Sequence, residues 1–252
     1  MKISINTEEN HRSSVLSYLE QKNHKVIDVG GAIYSWAWKY TNAILDFNNP
    51  QCTIIPTNNP YTKYNIEFFK GDITTNEGWA QIFKYVQDNG KFDFSICRHT
   101  IEDLPNPDLV CKNLQQISKE GFIAVPSKES ELRKHYHNSL PNIRGMGHHR
   151  WIFISYKNKI YGLPKMHWIE SFSDRDLYNV NTALGASGAI GNFPKQELAF
   201  SWKGNFEIIY ALPFSYQDLP EEYIEKYPDI CDVYKKHEEP WDVWKYLLNN
   251  SD

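Results

Sequence analysis

No apolar run in this chain approaches the roughly 20 residues that a helix needs to cross a bilayer, so no membrane span is predicted. The opening residues, Met1 to Glu9, lack the pattern of a signal peptide. Cysteine is scarce: Cys52, Cys97, Cys111 and Cys231 are scattered with no C-x-x-C pair, which predicts reduced thiols in a cytoplasmic protein. Positive charge is not in excess either. A formal net charge of −4 argues against a protein built to coat nucleic acid. Neither an internal repeat nor a long linker is visible. The 252 residues, 41% of them hydrophobic, suit one large globular α/β domain or one domain with insertions.

The first half alternates strand and helix signals. Apolar positions at Val15, Leu16 and Leu19, after a cap at Asn6 or Thr7, predict a helix over Glu8 to Gln21. Strands are expected at 25–29, 43–47, 66–69, 92–97 and 122–125, and a helical turn or two between Trp36 and Asn42. Helices are expected over Asn76 to Asp88, which stops at Asn89-Gly90, and over Pro107 to Ser118. A Pro- and Asn-rich loop (Pro50, Pro56, Asn58, Asn59, Pro60) follows the second strand as an exposed surface or lid. Such alternation predicts a parallel sheet with helices on both faces and a ligand at the carboxyl ends of its strands. The second half reads differently. Trp151–Tyr156 and Lys159–Leu163 around Lys157-Asn158 predict a hairpin, and Leu198–Trp202 and Phe206–Leu212 predict another. The stretch from Ser187 to Pro194 is too glycine-rich for an element, and Pro240 to Leu248 reads as a short amphipathic helix.

The motif Val26-Ile27-Asp28-Val29-Gly30-Gly31 ends an apolar run at an acid and two glycines. Glycine lets backbone approach a ligand closely, and an acid at the end of the next strand, here Asp46, can accept hydrogen bonds from ribose hydroxyls. The third glycine of the dinucleotide fingerprint is missing, and Gly-Gly pairs also occur in ordinary turns. Three further landmarks follow in order: Lys70-Gly71-Asp72-Ile73, then Phe92 to Cys97 running into His99-Thr100-Ile101-Glu102-Asp103-Leu104-Pro105-Asn106-Pro107, then Gly121 to Pro126. Across residues 10 to 127 this series resembles the class I S-adenosylmethionine-dependent methyltransferases, of the type 11-like kind. The segment from His99 to Pro107 is similar to their H-x-L-E-H-L-P-x-P stretch. The glycine loop departs from the family pattern at Ala32 and Tyr34.

The resemblance implies a Rossmann-like, seven-stranded, mostly parallel sheet flanked by helices, with extra β-hairpins in the C-terminal half. It implies one domain over 1–252, with a cofactor-binding core at 1–127 and sheet completion and substrate-binding elements at 128–252. The implied cofactor is S-adenosyl-L-methionine. Its contacts would be Asp28, Gly30 and Gly31 at the amino acid end, Asp46 at the ribose, with Phe47 next to it in the chain, Asp72 and Ile73 at the adenine, and Arg98 and His99 at the end of the fourth strand. Taken singly, Asp46 also reads as a solvated strand end and Asp72 as a helix cap; taken together, the cofactor reading is favoured.

His99 is open to two roles, general base or wall of the cofactor pocket. For Glu102 and Asp103, capping of the proline turn is preferred over orienting a neighbour. The dense cluster Arg144-Gly145-Met146-Gly147-His148-His149-Arg150-Trp151 resembles a strand start found in methyltransferases of surface-glycan pathways. Arg144 and Arg150 could grip a phosphate or carboxylate bidentately, although surface arginines are commoner. Adjacent histidines on an extended strand point to opposite sides, so a two-histidine metal site is not expected, even with His135 and His137 nearby. The expected catalytic base is His149, then His99, with His148 as a further candidate. The expected reaction is methyl transfer to a hydroxyl of a small polar acceptor, a sugar or nucleotide-sugar in polysaccharide biosynthesis, with no nucleic-acid or membrane partner. The alternatives are N-methylation of a small molecule or macromolecule, and a non-catalytic nucleoside-binding domain. Cys97-Arg98-His99-Thr100 does not match the amino-methylating motif N/D-P-P-Y/F, which disfavours methylation of a planar amine.

Overall fold

Val26–Val29 (β2) is buried at all four positions, the pattern of a strand with neighbours on both sides in a parallel sheet. It pairs in parallel with Thr41–Asp46 (β3) on one side and Phe92–Arg98 (β5) on the other. Glu67–Lys70 (β4) adds to β3, and Ser118–Pro126 (β6) adds to β5, both in parallel. The protein is described here from a computed structural model covering residues 2–6, 11–31, 36–47, 65–133, 143–171 and 197–251. Ala32, Tyr34, Cys52, His135, His137, the Pro- and Asn-rich loop and the glycine-rich stretch 187–194 lie outside those residues.

The full sheet has seven strands in the order β1-β9-β6-β5-β2-β3-β4, with Lys2–Asn6 as β1 and Glu197–Lys203 as β9. The chain winds outward from β2 to β3 and β4, then returns and winds the other way to β5 and β6. The point of reversal, between β2 and β5, is where a doubly wound sheet opens a crevice for ligands. This is the expected α/β fold: a mostly parallel, Rossmann-like sheet flanked by helices. The helices His11–Lys22 (α1), Ala80–Asn89 (α2) and Pro107–Ile117 (α3) lie near their expected limits. Asn106 caps α3 by accepting a hydrogen bond from the Leu109 N–H at 3.3 Å, and Pro107 opens its first turn. Gly90 (φ +76°) ends α2 by donating to the Val86 carbonyl.

Two compact units divide the chain: Met1–Val125 with Ala199–Phe206, and Pro126–Leu198 with Glu207–Asp252. The seven-stranded sheet forms the first. In the second, Trp151–Tyr156 (β7) and Lys159–Pro164 (β8) make the expected antiparallel hairpin. Its two central residues, Lys157 (φ +49°) and Asn158 (φ +58°), are both left-handed, as a tight two-residue hairpin turn requires.

The second expected hairpin does not form. Leu198 to Trp202 lies in β9, which pairs antiparallel with β1, whereas Ile208–Tyr210 (β10) pairs in parallel with β8 in a separate three-stranded sheet. The edge that a hairpin partner would have taken beside β9 is occupied by Lys2–Asn6.

The core of the second unit gathers Ile152, Tyr161, Tyr234, Trp244 and Leu247 from the hairpin, Pro228–Tyr234 (α6) and Pro240–Asn250 (α7). Lys128–Leu132 (α4) and Glu221–Lys226 (α5) complete its helices among the described residues. The buried Lys128 ammonium donates to the carbonyls of Leu248 (3.1 Å) and Ser251 (2.7 Å), satisfying the negative end of α7. No helix among the described residues is long and apolar enough to cross a membrane.

Candidate active site

Nine residues expected to hold a cofactor lie on or just past the carboxyl ends of β2 to β5, all in the first unit. Backbone hydrogen bonds past the strand ends tie these loops together. Gly30 N–H donates to the Leu45 carbonyl (2.9 Å), Gly71 N–H to the Asp46 carbonyl (3.0 Å), and His99 N–H to the Ala124 carbonyl (2.9 Å). Gly30 has φ +80°, and a Cβ there would sit 2.5 Å from the Thr100 side chain. Gly31 lies under Asp28, whose carboxylate would be 2.3 Å from a Cβ at that position. Asp28, buried at the end of β2, therefore folds over its own glycine turn and orders it.

Asp46 ends β3, and Phe47 beside it leaves 63% of its surface exposed, a large apolar ring at the rim of the crevice. After β4, the Asp72 Oδ1 accepts from the Thr74 hydroxyl (2.7 Å) and the Thr74 N–H (2.9 Å). The Thr74 hydroxyl, and then its N–H, hold the Asp72 carboxyl below the usual carboxylate range. Ile73 is buried, and its carbonyl accepts from the Trp79 indole N–H (3.0 Å), which pins the turn to the first residues of the following helix. The helix-cap reading of Asp72 is not realised: the next helical turn starts at Glu77 after Asn76, and Asp72 closes a tight turn on Thr74 instead.

At the end of β5, Arg98 is half-buried and His99 adopts φ +48°, left-handed for a non-glycine residue. His99 Nδ1 lies 3.2 Å from Oε1 of Glu102, whose side chain is 1% exposed against 36% for the imidazole. Glu102 was expected to cap the proline turn. Asn106 does that instead, and Glu102 faces His99. The i, i+3 spacing was visible, but the contact depends on the left-handed backbone at His99 leading into the short helical turn Ile101–Asp103, which no local pattern announces. Beneath the pair, burial first, and then Cys111, Asp28 and Glu102, push the Cys97 thiol far up, so it is neutral.

The other four candidates belong to the second unit. Arg144, read as an anion grip or surface residue, is buried; its Nη1 donates to the Leu132 carbonyl (2.7 Å), and its backbone N–H to the Glu170 carboxylate (2.9 and 3.1 Å). Arg150 is exposed. His148 and His149 do not diverge. Residues 147–148 form a turn ahead of β7 rather than extended strand, and the two rings lie 4.6 Å apart at 80°. The divergence expected to prevent a shared metal ion is therefore absent. His149 Nδ1 pairs with Glu131, and the other Glu131 oxygen meets Lys165 Nζ at 3.0 Å, with all three side chains at most 8% exposed. Sequence reading missed Glu131 and Lys165, which stand 18 and 16 residues from His149 with no local pattern to join them.

No family model matches the chain, and no curated protein does. Among solved structures, it is similar to the methyltransferase domain of bacterial CtHen1 (15% identity, 79% of this chain and 100% of that one, TM-score 0.39). It is also similar to an S-adenosylmethionine-dependent methyltransferase from Thermotoga maritima (14%, 77% and 88%, TM-score 0.40). A third similarity is to the N-terminal domain of EvdMO1, solved in the presence of S-adenosylhomocysteine and D-fucose (9%, 80% and 85%, TM-score 0.39).

Proposed function

We propose that the protein is an S-adenosylmethionine-dependent methyltransferase of class I, acting on a hydroxyl of a small polar acceptor, a sugar or nucleotide-sugar. The observation that carries this reading is the convergence of Asp28, Gly30, Asp46 with Phe47, and Asp72 with Ile73 at the carboxyl ends of three adjacent parallel strands. The donor set suits the parts of the cofactor in turn. A buried acid orders the loop at the amino acid end, a carboxylate at the tip of β3 accepts from ribose hydroxyls, and an acid with an apolar neighbour meets the adenine edge and face. Exposed Phe47 offers a ring against which a flat base or ribose packs. When bound, the sulfonium supplies an electrophilic methyl group.

A sugar hydroxyl is too weak an acid to ionise near neutral pH, so a positioned base takes its proton. Among the histidines, His99 now has the stronger support. It stands on the rim with the cofactor residues, over a third of its side chain is exposed, and Glu102 orients it. His149 is the second choice, because Glu131 and Lys165 hold it in a buried ion cluster. Exposed Arg150 is the better candidate for an anionic acceptor group, since the Arg144 guanidinium is committed to Leu132.

Calorimetric titration with S-adenosylhomocysteine tests the reading. Micromolar binding, about −8 kcal/mol, is expected, with Asp46→Ala several-fold weaker. No heat and no thermal shift with either S-adenosylmethionine or its product would sink it. Mass-spectrometric screening of nucleotide-sugars for methylated product then tests the acceptor.

A further inference from the structure

We infer that Glu102 is a positioning residue that fixes the His99 imidazole with Nε2 as its basic nitrogen; the inference rests on the methyltransferase reading of the same site. The Glu102 side chain is almost wholly buried, and one oxygen lies 3.2 Å from His99 Nδ1. Its other oxygen is buried with no hydrogen-bond partner among the described residues. A buried carboxylate with half its acceptors unused is costly, so a purely structural position would favour an apolar side chain or a fully bonded one. Local structure does not need the acid. The turn at 101–103 is closed by backbone bonds from Asp103 N–H to the Thr100 carbonyl (3.2 Å) and from Leu104 N–H to the Ile101 carbonyl (3.4 Å), and Asn106 caps the helix that follows.

His99 is held from the other side as well. Its backbone N–H donates to the Ala124 carbonyl on β6, which fixes the left-handed residue at the end of β5. Glu102, Asp28 on β2 and Cys111 on α3 all act on the buried Cys97 thiol of β5, and Arg98 and Asp103 adjoin the pair in the chain. Cys97, neutral by burial, does not compete for the proton.

A neutral imidazole that donates its Nδ1 proton to Glu102 carries its lone pair on Nε2. As the acceptor oxygen forms its bond to the methyl carbon and the sulfur keeps the electrons of the broken C–S bond, the hydroxyl proton passes to Nε2. The resulting imidazolium faces the Glu102 carboxylate, so the pair is stabilised more after proton transfer than before it.

The test is a nuclear magnetic resonance titration of histidine-labelled protein, with the His99 signal assigned by its loss in His99→Gln. In Glu102→Gln the titration midpoint of His99 falls by about one pH unit or more, as removal of a charge within hydrogen-bond reach requires. The nitrogen shifts change from one defined tautomer to a mixture, while thermal stability is kept. An unchanged midpoint and tautomer in Glu102→Gln would overturn the inference. If that variant does not fold, Glu102→Asp is read in the same way, with a smaller fall expected and an unchanged midpoint counting against the inference. Calorimetry with S-adenosylhomocysteine on the unaltered protein separates the two ideas: absent binding removes the methyltransferase reading, whereas the histidine titration alone decides whether Glu102 governs His99.

Discussion

Gly30 concentrates the demands that the site makes on single residues. Its left-handed backbone carries a penalty of about 1–2 kcal/mol for any side chain, and a Cβ would press on Thr100 at 2.5 Å. Gly90 offers a control, since it has a similar φ (+76°) with open space around it. Gly30→Ala is expected to destabilise the protein more than Gly90→Ala and to weaken S-adenosylhomocysteine binding at least tenfold; denaturant unfolding and calorimetry on both variants check this. Equal destabilisation with unimpaired binding would mean that the turn does not shape the site. Gly30, Asp46 and Asp72 were legible because each stands at a strand end where local pattern alone announces it. Glu102 was legible as a residue but not as a role, because the choice between capping and orienting depends on what Asn106 does. Arg144 was read as an anion grip or a surface residue, and its burial was missed for a similar reason: only the packed chain shows the Leu132 carbonyl that its guanidinium meets.

The β7–β8 hairpin shows an element set by its own sequence. Two apolar runs flank Lys157-Asn158, and both residues accept the left-handed conformation that matches the twist of the strands. Neither is the best choice for it. Asn158→Gly is expected to stabilise the protein by about 0.5 kcal/mol, because glycine adopts positive φ without steric cost. A lowered midpoint in thermal melting would show instead that the Asn158 side chain supports the turn. Residues 198–212 carry equally strong strand signals around Gly204, and Gly204 does turn with φ +77°. The strands that flank it nevertheless go to different sheets. The alternating Lys2-Ile3-Ser4-Ile5-Asn6 carried the missing signal, a period of two too short to stand out.

Acid sensitivity belongs to the whole molecule. Asp93, at the amino end of β5, is held below the usual carboxylate range chiefly by the Lys119 ammonium (2.7 Å) and then by the Lys25 N–H (3.0 Å). Asp72 is lowered by Thr74. A carboxyl whose pKa is depressed in the folded state stabilises it fully above the unfolded value of about 3.9, and that contribution is lost as pH falls through the folded value. The melting temperature is therefore expected to hold between neutrality and about pH 5 as far as these two groups govern it, then to fall below about pH 4. In Asp93→Asn the fall should be shallower. The same slope in both proteins would assign acid sensitivity to other carboxylates. Asp93 is 30% exposed, so solvent screens the pair and the effect is modest.

By itself, the sequence determined the strand and helix alternation, the doubly wound parallel core and the residues at its carboxyl rim. Those features follow from periodicity and turn chemistry, which act over a few residues. Tertiary structure alone decided that the first residues complete the sheet beside β9, that β10 leaves for a second sheet, and that Glu102 turns to His99 while Glu131 and Lys165 close on His149. Each of these is a choice of partner. Partners distant in the chain are selected by which backbone edges and buried charges remain to be satisfied once the local elements have formed.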